Sequence, residues 1–434
     1  MSIDCLDSPY GPIPSKFRCS KLEDLCVGGS GVQTGPFGSQ LHQEDYVPIG
    51  TPIITVEHLG ENRILHQDLP MVSDEDLKRL DRYALQEGDI VFSRVGSVDR
   101  RSLTRKEETG WLFSGRCLRV RPNKDLIDPE YLSWFFGLPA FREYIRQIAV
   151  GATMPSLNTK ILSEVPIYYP ALPEQRAIAR ILGSLDDKIE LNRCMNETLE
   201  SIARAIFKSW FVDFDPVQAK AEGREPAGMD AETAALFPDS FEETEMGMVP
   251  KGWMVKTIGD VLDLAYGKAL KEDCRMPGKI PVYGSNGQVG WHNEKIADGP
   301  GIIVGRKGNP GTVTWSQPDF FSIDTTFYVQ PKSLCKSMFY LFFSLRKQNL
   351  SSLGADSAVP GLNRNLAYMS KMLVPSWMVL EAFNKHIELI YELIYVNDQQ
   401  SHNIADIRDL LLLKLISGEI QVKNMKNAMI EEIG

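Results

Sequence analysis

The sequence predicts an α+β chain: two mixed α/β globular units in a tandem, pseudo-twofold repeat, separated by two long antiparallel coiled-coil helices. Three observations carry this. Short motifs recur in the same order in both halves. Two long proline-free stretches share one heptad seam. Strand-like runs punctuated by Gly and Pro fill much of the remainder. A length of 434 residues suits several domains, and 43% hydrophobic with 24% charged residues is ordinary globular composition.

The repeat is read from matched segments. Ile13-Pro14-Ser15-Lys16-Phe17, followed by Leu22-Glu23-Asp24-Leu25, matches Val249-Pro250-Lys251-Gly252-Trp253, followed by Ile258-Gly259-Asp260-Val261. Ile90–Gly96 (IVFSRVG) matches Ile302–Gly308 (IIVGRKG), and Met154–Asn158 (MPSLN) matches Val359–Asn363 (VPGLN). Aromatic helix-like stretches, Tyr131–Phe136 and Phe339–Phe343, precede the last pair. The offset falls from 236 to 212 to 205 residues, so the second copy is a shortened version with its deletions in loops. Strand-like runs are Thr51–Val56, Asp89–Ser93, Phe113–Val120, Ile302–Val304 and Thr326–Val329.

The first long helix is expected from Pro173, which suits a first helical position, to Phe211. Its seam is Ile178, Leu182, Leu185, Ile189, Asn192, Asn196, Leu199, Ala203, Ile206 and Trp210. Moving 205 residues on gives Phe383, Ile387, Ile390, Ile394, Asn397, Ser401, Ile404, Arg408, Leu411 and Leu415. A seam sustained over several heptads is a coiled-coil signature. Asn192 maps onto Asn397, and a buried asparagine needs a polar partner and fixes register. A helix of about 40 residues reaches about 60 Å at 1.5 Å per residue. The expected division is 1–171 and 249–376 as globular units, 172–215 and 377–420 as helices, 216–248 as an acidic linker, and 421–434 as a tail.

Charge is uneven. Residues 1–171 carry 19 basic and 23 acidic side chains, 172–249 carry 8 and 16, 250–379 carry 15 and 9, and 380–434 carry 5 and 9. A basic block of net +6 therefore lies inside a chain of net −10. The run Arg82 to Arg121, with Arg94, Arg100, Arg101, Arg105, Lys106, Arg116, Arg119 and Arg121, is also locally basic. Local field matters more than total charge for docking on a polyanion.

Catalytic signatures are missing. Asn309-Pro310 is followed by Gly311 and Asp128-Pro129 by Glu130, so neither gives the tetrapeptide of an amino-methyltransferase. Gly267-Lys268-Ala269 and Gly278-Lys279-Ile280 lack the Ser or Thr of a phosphate-binding loop. The six histidines show no metal-ligand spacing. The glycine-rich Gly28–Gly38 stretch reads as a flexible turn rather than a phosphate cradle. The seven cysteines lack the spacing of a zinc or redox motif, which suits a reduced, cytoplasmic protein with buried thiols. No apolar run approaches the length of a membrane span, and the first ten residues do not read as a signal peptide.

These parts, in this order, resemble the specificity subunit of type I restriction-modification enzymes. The motifs that carry the resemblance are Gln33–Leu41 (QTGPFGSQL), Gly88–Gly96 (GDIVFSRVG), MPSLN, Leu172–Asn192 and Asn196–Val217. In the second copy they are Trp253–Val261, Ile280–Gly290, Ile302–Gly311 and Val359–Asn365. The most specific piece is Leu172–Val217. The resemblance implies a subunit without its own active site, in which each globular domain reads one half of a split double-stranded DNA target. The helix pair sets the unread spacer and docks two methyltransferase subunits, and restriction subunits complete the assembly. It also implies no cofactor on this chain, with S-adenosylmethionine, ATP and Mg on the partners. Alternatives are the recognition subunit of a combined restriction and methylation enzyme outside type I, and a scaffold that binds only protein. The distal helix departs from the pattern, with Arg408 on its seam and no copy of the Lys208–Phe214 ending.

Base identity is read chiefly by Arg or Lys on guanine and by Asn or Gln on adenine. The expected DNA-contacting residues are Arg94, Arg100, Arg101, Arg105, Lys106, Asn158 and Lys160 in the first unit. In the second they are Arg306, Lys307, Asn309, Asn363 and Arg364. For each, the ordinary alternative is a solvated charge or a turn cap. Gly96 and Gly308 are expected to permit tight turns. The seam residues are expected to hold the helices and serve partner binding.

Overall fold

The computed structural model describes residues 5–28, 31–37, 40–151, 153–354 and 361–422. Val359 and Pro360 of the second turn motif, part of the Gly28–Gly38 stretch, and the tail beyond residue 422 lie outside the described residues. The chain divides into two compact units, residues 1–190 with 401–434, and residues 191–400.

The first unit opens with a hairpin, β1 (Cys5–Ser8) and β2 (Gly11–Pro14), followed by β3 (Arg18–Lys21) and β4 (Val32–Thr34). Next come β5 (Thr51–Ile54), β6 (Met71–Val72), α1 (Asp74–Arg79), β7 (Ile90–Ser93), β8 (Arg101–Leu103), β9 (Leu112–Phe113) and β10 (Cys117–Val120). Helices α2 (Pro129–Gly137), α3 (Pro139–Ile148) and α4 (Thr159–Ser163) and strand β11 (Pro166–Tyr169) lead into α5 (Leu172–Phe211). The strands form a sheet of order β4-β10-β7-β8 and a smaller one of order β6-β5-β9, in which β5 and β9 are parallel. The expected strand Phe113–Val120 is split, because a turn closes from Cys117 N to Ser114 O at 2.9 Å.

The second unit repeats this plan. It contains α6 (Asp215–Ala221), α7 (Ala231–Ala235), the hairpin β12 (Phe241–Thr244) and β13 (Gly247–Pro250), β14 (Met254–Thr257), α8 (Ile258–Val261) and β15 (Leu262–Tyr266). Then follow β16 (Ile280–Gly284), β17 (Gly287–His292), β18 (Gly301–Gly305), β19 (Val313–Ser316), β20 (Phe321–Ser322) and β21 (Thr326–Pro331). It closes with α9 (Met338–Lys347), α10 (Arg364–Met369), β22 (Lys371–Val374) and the start of α11 (Trp377–Ile416). The sheet orders are β15-β21-β18-β19 and β17-β16-β20, with β16 and β20 parallel. The motif repeat of the sequence is therefore a repeat of strand order.

The segment 216–248 corrects the linker expectation. Val217 and Phe237 are buried in the same core as Val249, Trp253 and Phe383. Low apolar density hid this, because a few large side chains suffice to anchor short helices to a core.

The aromatic helices form as expected. Asp128 caps α2 by accepting from Tyr131 N at 3.0 Å, and Ser337 caps α9 by accepting from Tyr340 N at 3.1 Å. In the first unit Trp134, Phe135 and Phe136 join a core with Phe92, Leu118, Ile178, Leu182, Leu412 and Leu415. In the second, Phe207, Trp210 and Phe211 of α5 join Phe339, Tyr340 and Phe383. Gly183, the one glycine inside α5, is explained by a close approach: a Cβ there would stand 2.5 Å from Glu130 Oε1.

Both helices pair antiparallel within each unit. All sixteen seam residues expected to hold them are buried or half-buried: Ile178, Leu182, Leu185, Ile189, Asn192, Asn196, Leu199, Ile206, Trp210, Ile387, Ile390, Ile394, Asn397, Ile404, Leu411 and Leu415. In the second unit the seam carries a polar layer. Asn192 Nδ2 donates to Asn397 O at 3.3 Å and to Gln400 Oε1 at 3.0 Å, and Asn397 Nδ2 donates to Asn196 Oδ1 at 2.9 Å. In the first unit the polar layer is ionic. Arg408 Nη1 donates to Asp186 Oδ1 at 2.9 Å, and Arg63 Nε donates to Asp186 Oδ2 at 2.7 Å. Arg408 is thus a buried ion-pair partner, which accounts for its place on an otherwise apolar seam.

Candidate nucleic-acid interface

In the second unit the turn after β18 carries Arg306, Lys307 and Asn309. Gly308 adopts φ +83°, and Gly311 N closes the turn by donating to Gly305 O at 2.8 Å. Arg306 lies over the exposed Tyr266 ring, 5.1 Å from its centroid, and donates to Asp324 O at 2.9 Å. Arg364 stands 4.9 Å from the centroid of the same ring. Two guanidinium groups therefore converge on one aromatic side chain, held by cation–π attraction. Lys307 and Asn309 are exposed, and Asn309 Nδ2 donates to Asn286 Oδ1 at 2.7 Å. Asn363 is used locally: its side chain caps α10, accepting from Asn365 N at 3.0 Å and Leu366 N at 3.2 Å.

The matching turn of the first unit carries Arg94 and Gly96, with φ +77° at the glycine. Arg94 Nη1 donates to Gly115 O at 3.3 Å and Thr34 Oγ1 at 3.4 Å, and the group lies 5.9 Å from the Phe37 centroid. Arg94 and Arg306 thus occupy matching places in the two units. Lys106, Lys160 and Arg116 are exposed.

Several of the residues expected to contact DNA are buried or bonded locally. Arg101 is 1% exposed and donates to Glu61 Oε1 at 2.6 Å and to Ser133 O at 3.1 Å, so it is a core residue. Arg105 is held near Glu130 at 3.5 Å and Asp186 at 3.8 Å. Arg100 donates to Leu59 O. Asn158 caps α4, accepting from Ile161 N at 2.8 Å. Arg121 pairs with Asp89 at 2.6 Å, and burial pulls the Arg119 pKa down to about 10. The run Arg94 to Arg121 is basic along the chain but largely internal in space. Carboxylates distant in sequence pair with three of its members, Arg101, Arg105 and Arg121.

The same cluster perturbs its acids. Burial pushes the Asp99 carboxyl up, but hydrogen bonds from Arg146 and Arg142 outweigh this and hold it below its ordinary value. Burial likewise pushes Glu61 up, and Arg101 and Arg142 bring it below its ordinary value. Such groups report structural ion pairing as readily as function. His58 is buried with Nδ1 3.1 Å from Thr55 N, and His66 Nε2 lies 2.8 Å from Glu108 Oε1. Among the described residues no group of three or more His, Cys, Asp or Glu side chains converges as for a metal ion.

The seam residues are consumed inside the units and do not form an open docking face. Exposed apolar residues stand on α11 at Leu389, Leu393 and Val396 in the second unit and at Ile407, Leu410 and Leu413 in the first. Leu191, Met195 and Ile202 are exposed on α5. No helix is long and apolar enough to cross a membrane among the described residues. Of the six cysteines whose side chains are described, Cys26, Cys117 and Cys335 are buried, whereas Cys19, Cys194 and Cys274 are exposed. The expectation of buried thiols therefore holds for half of them.

Comparison with known proteins matches the family model for the type I restriction modification DNA specificity domain twice, over residues 14–201 and 250–365. Together the matches cover more than half of the chain. The chain belongs to this type I specificity family. It is 28% identical over 428 residues to the specificity subunit of the type I restriction enzyme HindI of Haemophilus influenzae, covering 83% of this chain and 92% of that one. It is 27% identical over 447 residues to the MjaIX specificity subunit of Methanocaldococcus jannaschii, covering 96% and 97%. The fold is similar to the crystal structure of the type I S subunit from M. genitalium, with a TM-score of 0.58 at 18% identity, covering 92% and 96%. The two family matches coincide with the two repeats of strand order. Tyr266 and Asn286 were not singled out from the sequence of this specificity subunit. Their signal was position: Tyr266 ends the strand that matches β4, and Asn286 lies in a two-residue hairpin turn.

Proposed function

We propose that this chain is the sequence-reading subunit of a type I restriction-modification assembly and has no active site of its own. Each unit reads one half of a bipartite duplex target, and the assembly methylates adenine in the host site or restricts unmodified DNA. The observation that carries the reading is duplication. One strand order occurs twice, each time with a glycine-permitted turn bearing an arginine, Arg94 or Arg306. Dimeric DNA readers reach the same two-site arrangement with two chains.

The apolar residues left open on α5 and α11 support docking of two methyltransferase subunits, because large exposed apolar side chains in rows mark interaction surfaces. The helix pair then sets the unread spacer. S-adenosylmethionine, ATP and Mg belong to the partner subunits, and restriction subunits complete the nuclease.

The test is base-modification mapping of genomic DNA from cells with and without the gene, co-expressing the neighbouring methyltransferase. The expected result is the loss of one methylated motif, split by a fixed unread spacer. Intact methylation in the deletion strain, or a soluble complex that methylates no defined motif, would reject the reading and favour a protein-only scaffold.

A further inference from the structure

The β16–β17 hairpin is a two-stranded ribbon with β17 at the edge of its sheet. Only Ser285 and Asn286 connect the strands, and Gly287 takes φ +97° to close the turn. Asn286, Gln288, Val289 and Trp291 are exposed along it. The ribbon tip is not free-standing. Thr312 Oγ1 donates to Ser285 O at 2.9 Å and to Asn309 O at 3.1 Å. A Cβ on Gly308 would stand 3.1 Å from Ser285 Oγ, so the arginine-bearing turn and the ribbon tip are packed together.

The Asn286–Asn309 bond fixes two exposed amides on this platform. Each primary amide has a donor end and an acceptor end. Their mutual bond uses the donor of one and the acceptor of the other. The bond leaves Asn309 Oδ1 open as an acceptor and Asn286 Nδ2 open as a donor, together with the second N–H of Asn309 and the second lone pair of Asn286 Oδ1. Exchanging the orientation of both amides leaves the same complement. The open acceptor beside the open donor is the pattern that matches adenine in the major groove, whose N6 donates and whose N7 accepts. The major groove also admits a two-stranded ribbon. Arg306, Lys307 and Arg364 supply positive charge beside the tip, suited to phosphates flanking the groove.

We infer that the β16–β17 ribbon enters the major groove of the half-site read by the second unit, and that the Asn286–Asn309 amide pair reads an adenine there. This rests on the DNA-reading function proposed above. It adds Asn286 as a specificity-determining residue and assigns Asn309 to the same base. Arg306 and Lys307 position the ribbon on the backbone.

The experiment uses the full chain co-expressed with its methyltransferase, as wild type, Asn286→Ala, Asn309→Ala and Lys307→Ala. Genomic modification mapping is followed by binding of the purified complexes to duplexes altered at single positions. Wild type should show a split motif. Asn286→Ala and Asn309→Ala should each relax the same A·T position in one half, leaving the other half unchanged. Replacing that adenine with 7-deazaadenine should weaken wild-type binding roughly 5- to 100-fold and Asn286→Ala binding hardly at all. Lys307→Ala should weaken all duplexes alike. An unchanged motif in both asparagine variants, relaxation at a G·C position, or equal weakening by Asn286→Ala across all duplexes would overturn the inference while leaving the function standing. No split motif from the wild-type complex would overturn both. The retained first half-site is the internal control that a variant complex has folded.

Discussion

The two units share one strand order but treat the connection after their parallel-paired strand differently. In the first, β5 reaches β6 through the 16 residues Thr55–Pro70. In the second, β16 reaches β17 through two. The long connection folds back on the edge strand β8. Ser102 Oγ donates to Arg63 O at 2.8 Å, Glu61 takes Arg101, Leu59 O takes Arg100, and Arg63 reaches Asp186. The short connection packs only on the turn after β18 among the described residues, where Thr312 Oγ1 donates to Ser285 O, and Asn286, Lys307 and Asn309 around it stay exposed. One scaffold therefore gives two surfaces. An insertion decides whether arginines near the sheet become core or contact groups. This suits a protein whose two halves must read different bases from a common frame.

The largest expected effect sharpens the contrast between the helix segments. In the second unit Phe383 is fully buried, with ring centroids of Phe211 at 4.9 Å, Trp210 at 5.9 Å and Phe207 at 6.1 Å. Phe383→Ala removes the ring that these aromatics surround. It should cost about 4 kcal/mol, mostly as cavity. Denaturant unfolding followed by tryptophan fluorescence checks this. A loss below about 1 kcal/mol would mean that α11 is not anchored there.

A smaller effect separates the two kinds of arginine. Arg101→Ala should destabilise the first unit by about 3 kcal/mol, since it strips a buried guanidinium from Glu61 and Ser133 O. Arg101→Met keeps most of the volume and should cost less. Arg306→Ala removes a half-buried side chain that carries no buried ion pair, only the Tyr266 ring contact and the bond to Asp324 O, and should cost about 1 kcal/mol. Duplex affinity should move the other way. Arg306→Ala should weaken binding, and Arg101→Met should leave base preference unchanged. Altered base preference in Arg101→Met would break the distinction.

Periodicity made much of this fold readable. The seam from Ile178 to Trp210 and its copy 205 residues later depend only on spacing, and the Asn192–Asn397 contact follows from one offset. The turns at Gly96 and Gly308 were readable for the same local reason. The arginines of the first unit were not. Arg101 and Arg105 are neutralised by Glu61, Glu130 and Asp186, which lie 25 to 81 positions away, and burial of a charge is set by such partners rather than by its neighbours in sequence. Asp186 itself stands beside the seam residue Leu185, so no apolar pattern marked it as the partner of Arg408. Tyr266 and Asn286 were missed because single exposed side chains leave no periodic trace. Only the matched strand ends identify them.

The smallest effect concerns the thiols, and it tests the burial pattern in both units at once. Burial pushes Cys26 and Cys117 up to about 12 and Cys335 up to about 11, with Asp89 and Glu23 adding to the shift at Cys26. Only the thiolate reacts, so these three should resist an alkylating reagent at pH 8 until the protein unfolds. Cys19, Cys194 and Cys274 are exposed and should label in the native state. Mass spectrometry of the labelled peptides distinguishes the sets. Early labelling at Cys117 would be the informative failure. That thiol lies on β10, paired with Ser93 one residue before Arg94. Its reaction would mean that this part of the first sheet opens in solution, and that Arg94 is not held as rigidly as its counterpart Arg306.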